Sequence, residues 1–430
     1  MLRVVGSLGA LLLGMSIMLL GNGLFGTLTA LRMTIEHFSP ATIGIVVACH
    51  SIGFATACLT CGRIIRRVGH IRVFGAFAAT LAFCCLCFPI AVNPVSWIAL
   101  RLVFGYSAAA CFMVGESWLS GAAPPDIKGK VFAVYMVINK ASFGVGQLFL
   151  MLGNPSGDRL FMLAAALYAL CLVPIALTRA SGPEQLGRER LSFAALYRLS
   201  PVGVAGAVTA GFTNASLVGL GPVFATGHGL SVSQVSLFMV AFLAGNLLLQ
   251  VPIGRTSDRF DRRSVLFVVA ALTAVSCTVM ALVPEPDFHG LLALSALVGG
   301  VSATVYPIAM THATDLARAA QTVSLHAGML LAFSIGASTG PVMASLAMQY
   351  IGGGGLYAFA AGMNVLLALF ILYRKVKRVS APDEKMTDFV GMPQTGQSTP
   401  AMAGMDPRTV PDGDPDRAQD TSQRSEPAGC

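Results

Sequence analysis

Long stretches without a charged residue constrain this chain more than any other feature of its sequence. Residues 4–31, 37–62 and 73–100 contain no Asp, Glu, Lys or Arg. A helix needs about 20 apolar residues to cross the hydrocarbon core of a bilayer. Each of these runs is therefore long enough for one membrane-spanning helix.

Further uncharged runs bring the number of predicted spans to twelve. Three runs predict one span each: residues 160–178, 264–284 and 288–314. Two longer runs, residues 199–254 and 319–373, each have room for two spans, and glycine-rich breaks divide them. Two more spans carry ionisable residues, one with Arg101 and Glu116 and one with Lys140. The sequence therefore predicts an all-α membrane protein with twelve transmembrane helices.

The charge content agrees with this fold class. Charged residues make up 11% of the 430 positions, against roughly 25% in an average soluble domain. So few charges exclude an ordinary globular enzyme or a secreted disulfide scaffold as a description of the whole chain. The chain also lacks a phosphate-binding Gly-x-x-x-x-Gly-Lys run and a His-Glu-x-x-His motif. We therefore predict a protein that is not an enzyme, with no cofactor and no metal site.

The distribution of Lys and Arg predicts the orientation in the membrane. Positive residues stay on the cytoplasmic side, and alternate loops hold 20 of them against two, Arg32 and Arg159, in the remaining loops. This bias predicts a multi-pass protein of the bacterial inner membrane with both termini in the cytoplasm. Insertion also accounts for the net charge of +8, so no nucleic-acid partner is expected.

Two pairs of landmarks indicate an internal repeat. Gly62 and Gly254 follow spans 2 and 8, and Gly144 and Gly336 lie in spans 5 and 11. The differences 254 − 62 and 336 − 144 both equal 192. A shared offset predicts two six-helix bundles in parallel repeat.

The predicted boundaries follow from this repeat and from the charged segment between its halves: residues 1–178 for the first bundle, 179–198 for a cytoplasmic linker, 199–378 for the second bundle and 379–430 for a cytoplasmic tail. The tail is rich in Pro, Gly, Ser, Asp and Gln and poor in apolar residues. That composition predicts disorder.

The loops after spans 2 and 8 are candidate gate segments because each combines glycine with a cluster of charges. Carboxylates among arginines can form charge-assisted bonds that hold two helix ends together in one conformation and release them in another. The alternative is that the arginines only fix the orientation of insertion. The candidate gate residues are Gly62, Arg66, Arg67, Gly69, Glu116, Gly254, Asp258, Arg259, Asp261, Arg262 and Arg263.

Several of these motifs resemble the major facilitator superfamily. Residues 250–254 and 257–263 are similar to its cytoplasmic gate motif between helices 8 and 9, and residues 101–105 match the Arg-x-x-x-Gly pattern of helix 4. Together with residues 128–131 and Tyr306-Pro307, these motifs resemble a poorly characterised bacterial branch of the superfamily. The resemblance implies two six-helix bundles around a substrate cavity, working by alternating access.

One departure from the family pattern concerns the first gate loop. Arg66 stands where that loop usually has Asp, so the usual carboxylate contacts are lost. Glu116 is expected near the same end of its span, where it can pair with Arg66 or Arg67. The alternative for Glu116 is a role in proton coupling.

Charges inside the spans are the sharpest clue to substrate, because they are costly in a bilayer. At 1.5 Å per residue, Arg101 and Lys140 lie about 10 and about 16 Å into their spans, so both approach the middle. Two cations at one depth favour the binding of an anionic substrate. The competing interpretation pairs Lys140 with helix carbonyls or with Glu116.

Three asparagines complete the predicted substrate path: Asn139, Asn214 and Asn246. Each can instead hold helices together through interhelical hydrogen bonds. The prediction is a monomeric secondary active transporter of a small solute, favoured to be an organic anion, with H⁺ as the expected coupling ion. The alternative is proton-driven efflux of amphipathic drugs or metabolites.

Overall fold

A computed structural model describes residues 2–124, 127–177, 193–282, 287–317 and 322–377, together with Thr399 and Ala401. Most of the predicted linker and nearly all of the predicted tail lie outside the described residues. The last part of the predicted linker forms a short helix from Phe193 to Leu199.

The described part of the chain is helical, with one 3₁₀ turn at Phe149–Leu152. Its α-helices are α1 (Leu2–Ile35), α2 (Pro40–Val68), α3 (His70–Ile90), α4 (Pro94–Ala122), α5 (Lys128–Leu148), α6 (Arg159–Leu170), α7 (Leu172–Ala176), α8 (Phe193–Leu199), α9 (Pro201–Gly227), α10 (Val232–Arg259), α11 (Arg262–Leu282), α12 (Phe288–Ser302), α13 (Val305–Asp315), α14 (Thr322–Ile351) and α15 (Gly355–Lys377). Within the described ranges, 12 helical segments are long and apolar enough to cross a membrane. Helices α6 and α7 together form the sixth segment, and α12 and α13 form the tenth. The predicted fold class is confirmed.

Local sequence signals explain where these helices begin. Ser39 and Asn93 cap α2 and α4 through their side chains, and a proline follows each cap at the first helical position. Ser231 and Gln234 form a capping box at the start of α10. Gly69 joins α2 directly to α3 with φ 94°, a left-handed backbone conformation that favours glycine.

The helix boundaries follow the offset seen in the sequence. Helices α2 and α3 begin at residues 40 and 70, and α10 and α11 begin at residues 232 and 262. The differences 232 − 40 and 262 − 70 both equal 192. The glycine pairs of the sequence therefore occupy equivalent helices of the two halves.

The two halves pack against each other on one side of the molecule, which we call the closed side. There the start of α2 meets the end of α14, and a Cβ at Gly44 would overlap Ser345 and the carbonyl oxygen of Pro341. The end of α5 meets the start of α10, where Ser236 Oγ donates to the backbone oxygen of Gln147 at 2.5 Å. With twelve spans, this closed side is opposite to the side on which α1 begins and α15 ends.

Candidate functional site

A cavity of about 140 Å³ lies between the two halves. Helices α1, α2, α4 and α5 line it from the first half, and α9 and α14 line it from the second. Five phenylalanines supply much of its wall: Phe25, Phe54, Phe104, Phe143 and Phe333. Its polar lining consists of Asn22, Thr27, His50, Ser51, Arg101, Gln147, Asn214 and Ser334. None of the described lining residues is Asp or Glu.

Arg101 supplies a positive charge to this cavity. It lies in the third turn of α4 and is 6% exposed. Its Nη2 donates to Thr29 Oγ1 at 3.0 Å, and its Cζ lies 5.3 Å from the ring centroid of Phe25 and 5.7 Å from that of Phe104. Both rings offer a cation–π contact. Its Nε has no hydrogen-bond partner within the described part of the chain, so the guanidinium keeps donor capacity for a ligand.

Three other polar groups of the cavity have atoms without a partner among the described residues. These atoms are His50 Nδ1, Asn22 Nδ2 and Asn214 Oδ1. Asn22 is held in place because its Oδ1 accepts from Tyr168 Oη at 2.8 Å. Across the cavity, Thr27 Oγ1 donates to Gln147 Oε1 and so joins α1 to α5. The cavity therefore offers both donors and an acceptor beside its aromatic wall.

Sequence reasoning identified Arg101 and Asn214 but missed the other polar lining residues. His50 carried a usable signal, because a histidine within an apolar span is a functional-site candidate. His50 was not among the predicted site residues, because only Asp, Glu, Lys and Arg were treated as charged residues within the spans. Asn22, Thr27 and Gln147 carried no such signal, because uncharged polar residues are common on helices that pack together.

Lys140 does not line this cavity with Arg101. It lies one turn of α5 before Phe143 and is 7% exposed. Its Nζ donates to Asn246 Oδ1 at 2.7 Å and to Gln250 Oε1, both on α10 of the second half. We call this group, Lys140 with Asn246 and Gln250, the cross-bundle clamp. Asn139 is fully buried on α5 and does not line the cavity either.

Glu116 is a fully buried carboxylate in the last turns of α4. Tyr135 Oη of α5 donates to its Oε1 at 3.2 Å. Its Oε2 accepts from the backbone N of Thr399 at 2.8 Å and from Thr399 Oγ1 at 2.5 Å. The expected pairing of Glu116 with Arg66 or Arg67 stays a prediction.

The charges of the second gate loop are joined to neighbouring helix ends. Arg262 Nε pairs with Asp315 Oδ2 at 2.5 Å, and Arg262 Nη1 lies 3.4 Å from Asp258 Oδ1. Asp315 ends α13 and is 6% exposed in this pair, and sequence reasoning did not include it. The gate role of these residues stays a prediction.

Asp261 lies between α10 and α11, outside the membrane-spanning segments. Burial opposes its ionisation, but hydrogen bonds from Ser264 and the charge of Lys375, whose Nζ is 3.7 Å away, outweigh burial and lower the pKa of Asp261. Asp261 is therefore ionised at neutral pH and joins α11 to the end of α15.

The chain matches the family model for the Major Facilitator Superfamily over residues 11–231 and again over residues 202–401. The chain belongs to the major facilitator superfamily. It is similar to the uncharacterized MFS-type transporter YcaD of Escherichia fergusonii, with 27% identity over 378 residues, 86% of this chain and 96% of the relative. The YcaD protein of Shigella flexneri is 26% identical and covers 84% of this chain and 94% of its own.

Solved structures share the fold at low sequence identity. A nucleoside transporter, NupG, superposes with a TM-score of 0.74 at 14% identity, covering 85% of this chain and 98% of its own. A D-xylose–proton symporter has a TM-score of 0.64 at 17% identity, covering 93% and 99%. This member of the superfamily is thus a secondary transporter rather than an enzyme, and a multi-pass protein of the bacterial inner membrane.

Proposed function

We propose that this transporter moves small organic anions with an aromatic or apolar body by alternating access. The observation that carries the proposal is Arg101, a buried cation that lines the cavity without a carboxylate partner among the described residues. A charge near the middle of a span costs about 3 kcal/mol by insertion measurements. A bound carboxylate would offset this cost by supplying the missing acceptor.

The remaining lining supports the same substrate class. The phenylalanines fit a flat apolar body. Asn22 Nδ2 and Asn214 Oδ1, which have no partner in the described part of the chain, fit polar substituents on it. A cationic drug would instead face Arg101 in a cavity whose described lining has no Asp or Glu, which disfavours the alternative of drug efflux. All lining residues belong to one chain, so a monomer suffices for the site.

We further propose that both termini are cytoplasmic, as the distribution of Lys and Arg favours. The closed side of the molecule then faces the periplasm. Separation of α2 from α14 and of α5 from α10 would open this side during transport.

A binding screen tests the substrate class. Purified full-length protein is melted with benzoate, phenylacetate or nicotinate and, separately, with cationic drugs such as ethidium. We expect the carboxylates to raise the Tm of the wild type, and Arg101→Gln to weaken their binding by about 10- to 100-fold, since a hydrogen bond to a charged group contributes about 1.5–3 kcal/mol.

Arg159→Gln is the matched control, because Arg159 is exposed at the start of α6 and should bind the carboxylates as the wild type does. Uptake of the same labelled carboxylates into proteoliposomes then distinguishes transport from binding alone. Stabilisation by ethidium with no response to the carboxylates, equal in wild type and Arg101→Gln, would refute the proposal and favour efflux of drugs.

A further inference from the structure

His50 is the one described lining residue besides Arg101 that can carry a positive charge. It lies on α2, and its Nδ1 is buried without a hydrogen-bond partner within the described residues. Its ring centroid is 5.9 Å from that of Phe104, the same ring that lies 5.7 Å from Arg101 Cζ. The histidine and the arginine therefore face one aromatic side chain in one cavity.

The helices around His50 bring few other charges to it. Arg101 and Phe104 of α4 face His50. On the same helix as His50, the ring centroid of Phe54 lies 6.3 Å from that of His50. The polar lining groups of α1, α9 and α14 are Asn22, Thr27, Asn214 and Ser334, none of which ionises. The charge that acts on His50 from these helices is therefore that of Arg101.

This arrangement links the charge of His50 to the occupancy of the site. Burial disfavours a charged imidazole, and two like charges repel strongly where little water screens them. Protonation of His50 is therefore disfavoured while no anion is bound at Arg101. An anion on Arg101 cancels that repulsion and adds an attraction for an imidazolium. Histidine is the one described lining side chain whose ordinary titration lies near neutral pH, so it is the lining group suited to take up a proton together with the anion.

We propose that His50 binds the coupling proton, taking up one proton when an organic anion occupies the site at Arg101 and releasing it when the anion leaves. The inference rests on the proposed anion substrate and adds the residue that couples it to protons. The proton comes from the solution to which the cavity is open and leaves to the solution on the other side. One anion and one proton then cross together, and an inward proton gradient drives import.

Linkage makes the proposal quantitative. If the anion favours protonation of His50, protonation favours anion binding by the same factor. Affinity for a monoanion should therefore rise by up to about tenfold for each unit of decreasing pH, over the pH range in which His50 is protonated in the occupied site but neutral in the empty site. A neutral residue at position 50 should abolish this dependence.

The test measures proton uptake directly. Benzoate, phenylacetate or nicotinate is added to purified full-length protein in weakly buffered detergent solution with a pH indicator, between pH 6 and 8. We expect close to one proton taken up per carboxylate bound by the wild type, and none by His50→Gln or His50→Asn, whose affinity stays constant with pH. His289→Gln is the matched control, because that side chain is 87% exposed and should behave as the wild type.

The outcomes separate this inference from the proposed function. Carboxylate binding to the wild type without proton uptake overturns the inference and leaves the substrate class intact, whether or not the variants fold. Proton uptake that persists in both His50 variants overturns the assignment to His50. Failure of all three carboxylates to bind at any of these pH values overturns the proposed substrate class and this inference with it.

Discussion

At the scale of single residues, the most telling contrast is between the two buried cations of the first half. Arg101 lines the cavity, and its Nε has no hydrogen-bond partner among the described residues. Lys140 instead donates to amide oxygens of α10. The two side chains looked equivalent in the sequence because each was a lone cation near the middle of a span. Their different surroundings separate a candidate ligand-binding charge from a charge that joins the two halves.

The cross-bundle clamp predicts a measurable coupling. Asn246→Leu removes an acceptor of a buried ammonium and should destabilise the protein by about 1–3 kcal/mol, read as a lower Tm in detergent. Lys140→Met in the same protein should recover much of that loss, because an apolar pair leaves no unsatisfied charge. The coupling energy of this double-mutant cycle should exceed about 0.5 kcal/mol.

A second double-mutant cycle, of Lys375→Met with Asn246→Leu, is the control. Lys375 contacts Asp261 and Ser264 near the end of α15, so its effect should simply add to that of Asn246→Leu. Equal coupling in the two cycles would count against a direct bond between Lys140 and α10.

At the scale of helices, the sequence predicts where the membrane spans lie but not which helices contact one another. Uncharged runs located twelve segments because a bilayer imposes one length and one composition on each. Glycine breaks at residues 227–229 and 352–355 located two helix ends, because α9 ends at Gly227 and α15 begins at Gly355. Nothing in these local signals specifies which helices meet, so His50, Asn22 and Asp315 were not connected to the site or the gate.

Small residues explain one of those contacts and carry the prediction for helix packing. Gly44→Val should push α2 away from α14, because the added side chain would overlap Ser345 and Pro341. The Tm of the protein in detergent should then fall by several degrees, because the close packing of α2 on α14 is lost.

Gly62→Val is the control for this change. Gly62 lies on the same helix, and a Cβ there would meet nothing within 4 Å among the described residues. The Tm of Gly62→Val should therefore stay close to that of the wild type. Equal Tm values in all three proteins would mean that α2 does not pack on α14 at Gly44.

At the scale of the whole molecule, polar contacts occur at three levels along α5. Gln147 and Phe143 line the cavity, Lys140 joins the two halves, and Tyr135 bonds Glu116. At 1.5 Å per residue these levels span about 18 Å along the helix. The levels succeed one another from the closed side toward the side on which α15 ends. A substrate moving along α5 would therefore meet the cavity, then the clamp, then the buried carboxylate.

The contact between Glu116 and Thr399 carries the last prediction. Thr399 lies 22 residues beyond the end of α15 at Lys377, is 4% exposed, and gives two donors to a fully buried carboxylate. A backbone N–H held in this way exchanges slowly with solvent. Glu116→Ala removes the acceptor, so hydrogen exchange in the peptide that contains Thr399 should accelerate, by about tenfold or more for a charge-assisted bond of at least 1.4 kcal/mol.

Glu36→Ala is the control, because Glu36 pairs with Arg32 at the end of α1 on the opposite side and should leave that peptide unchanged. Unaltered exchange in Glu116→Ala would show that Thr399 does not depend on this carboxylate for its protection from exchange.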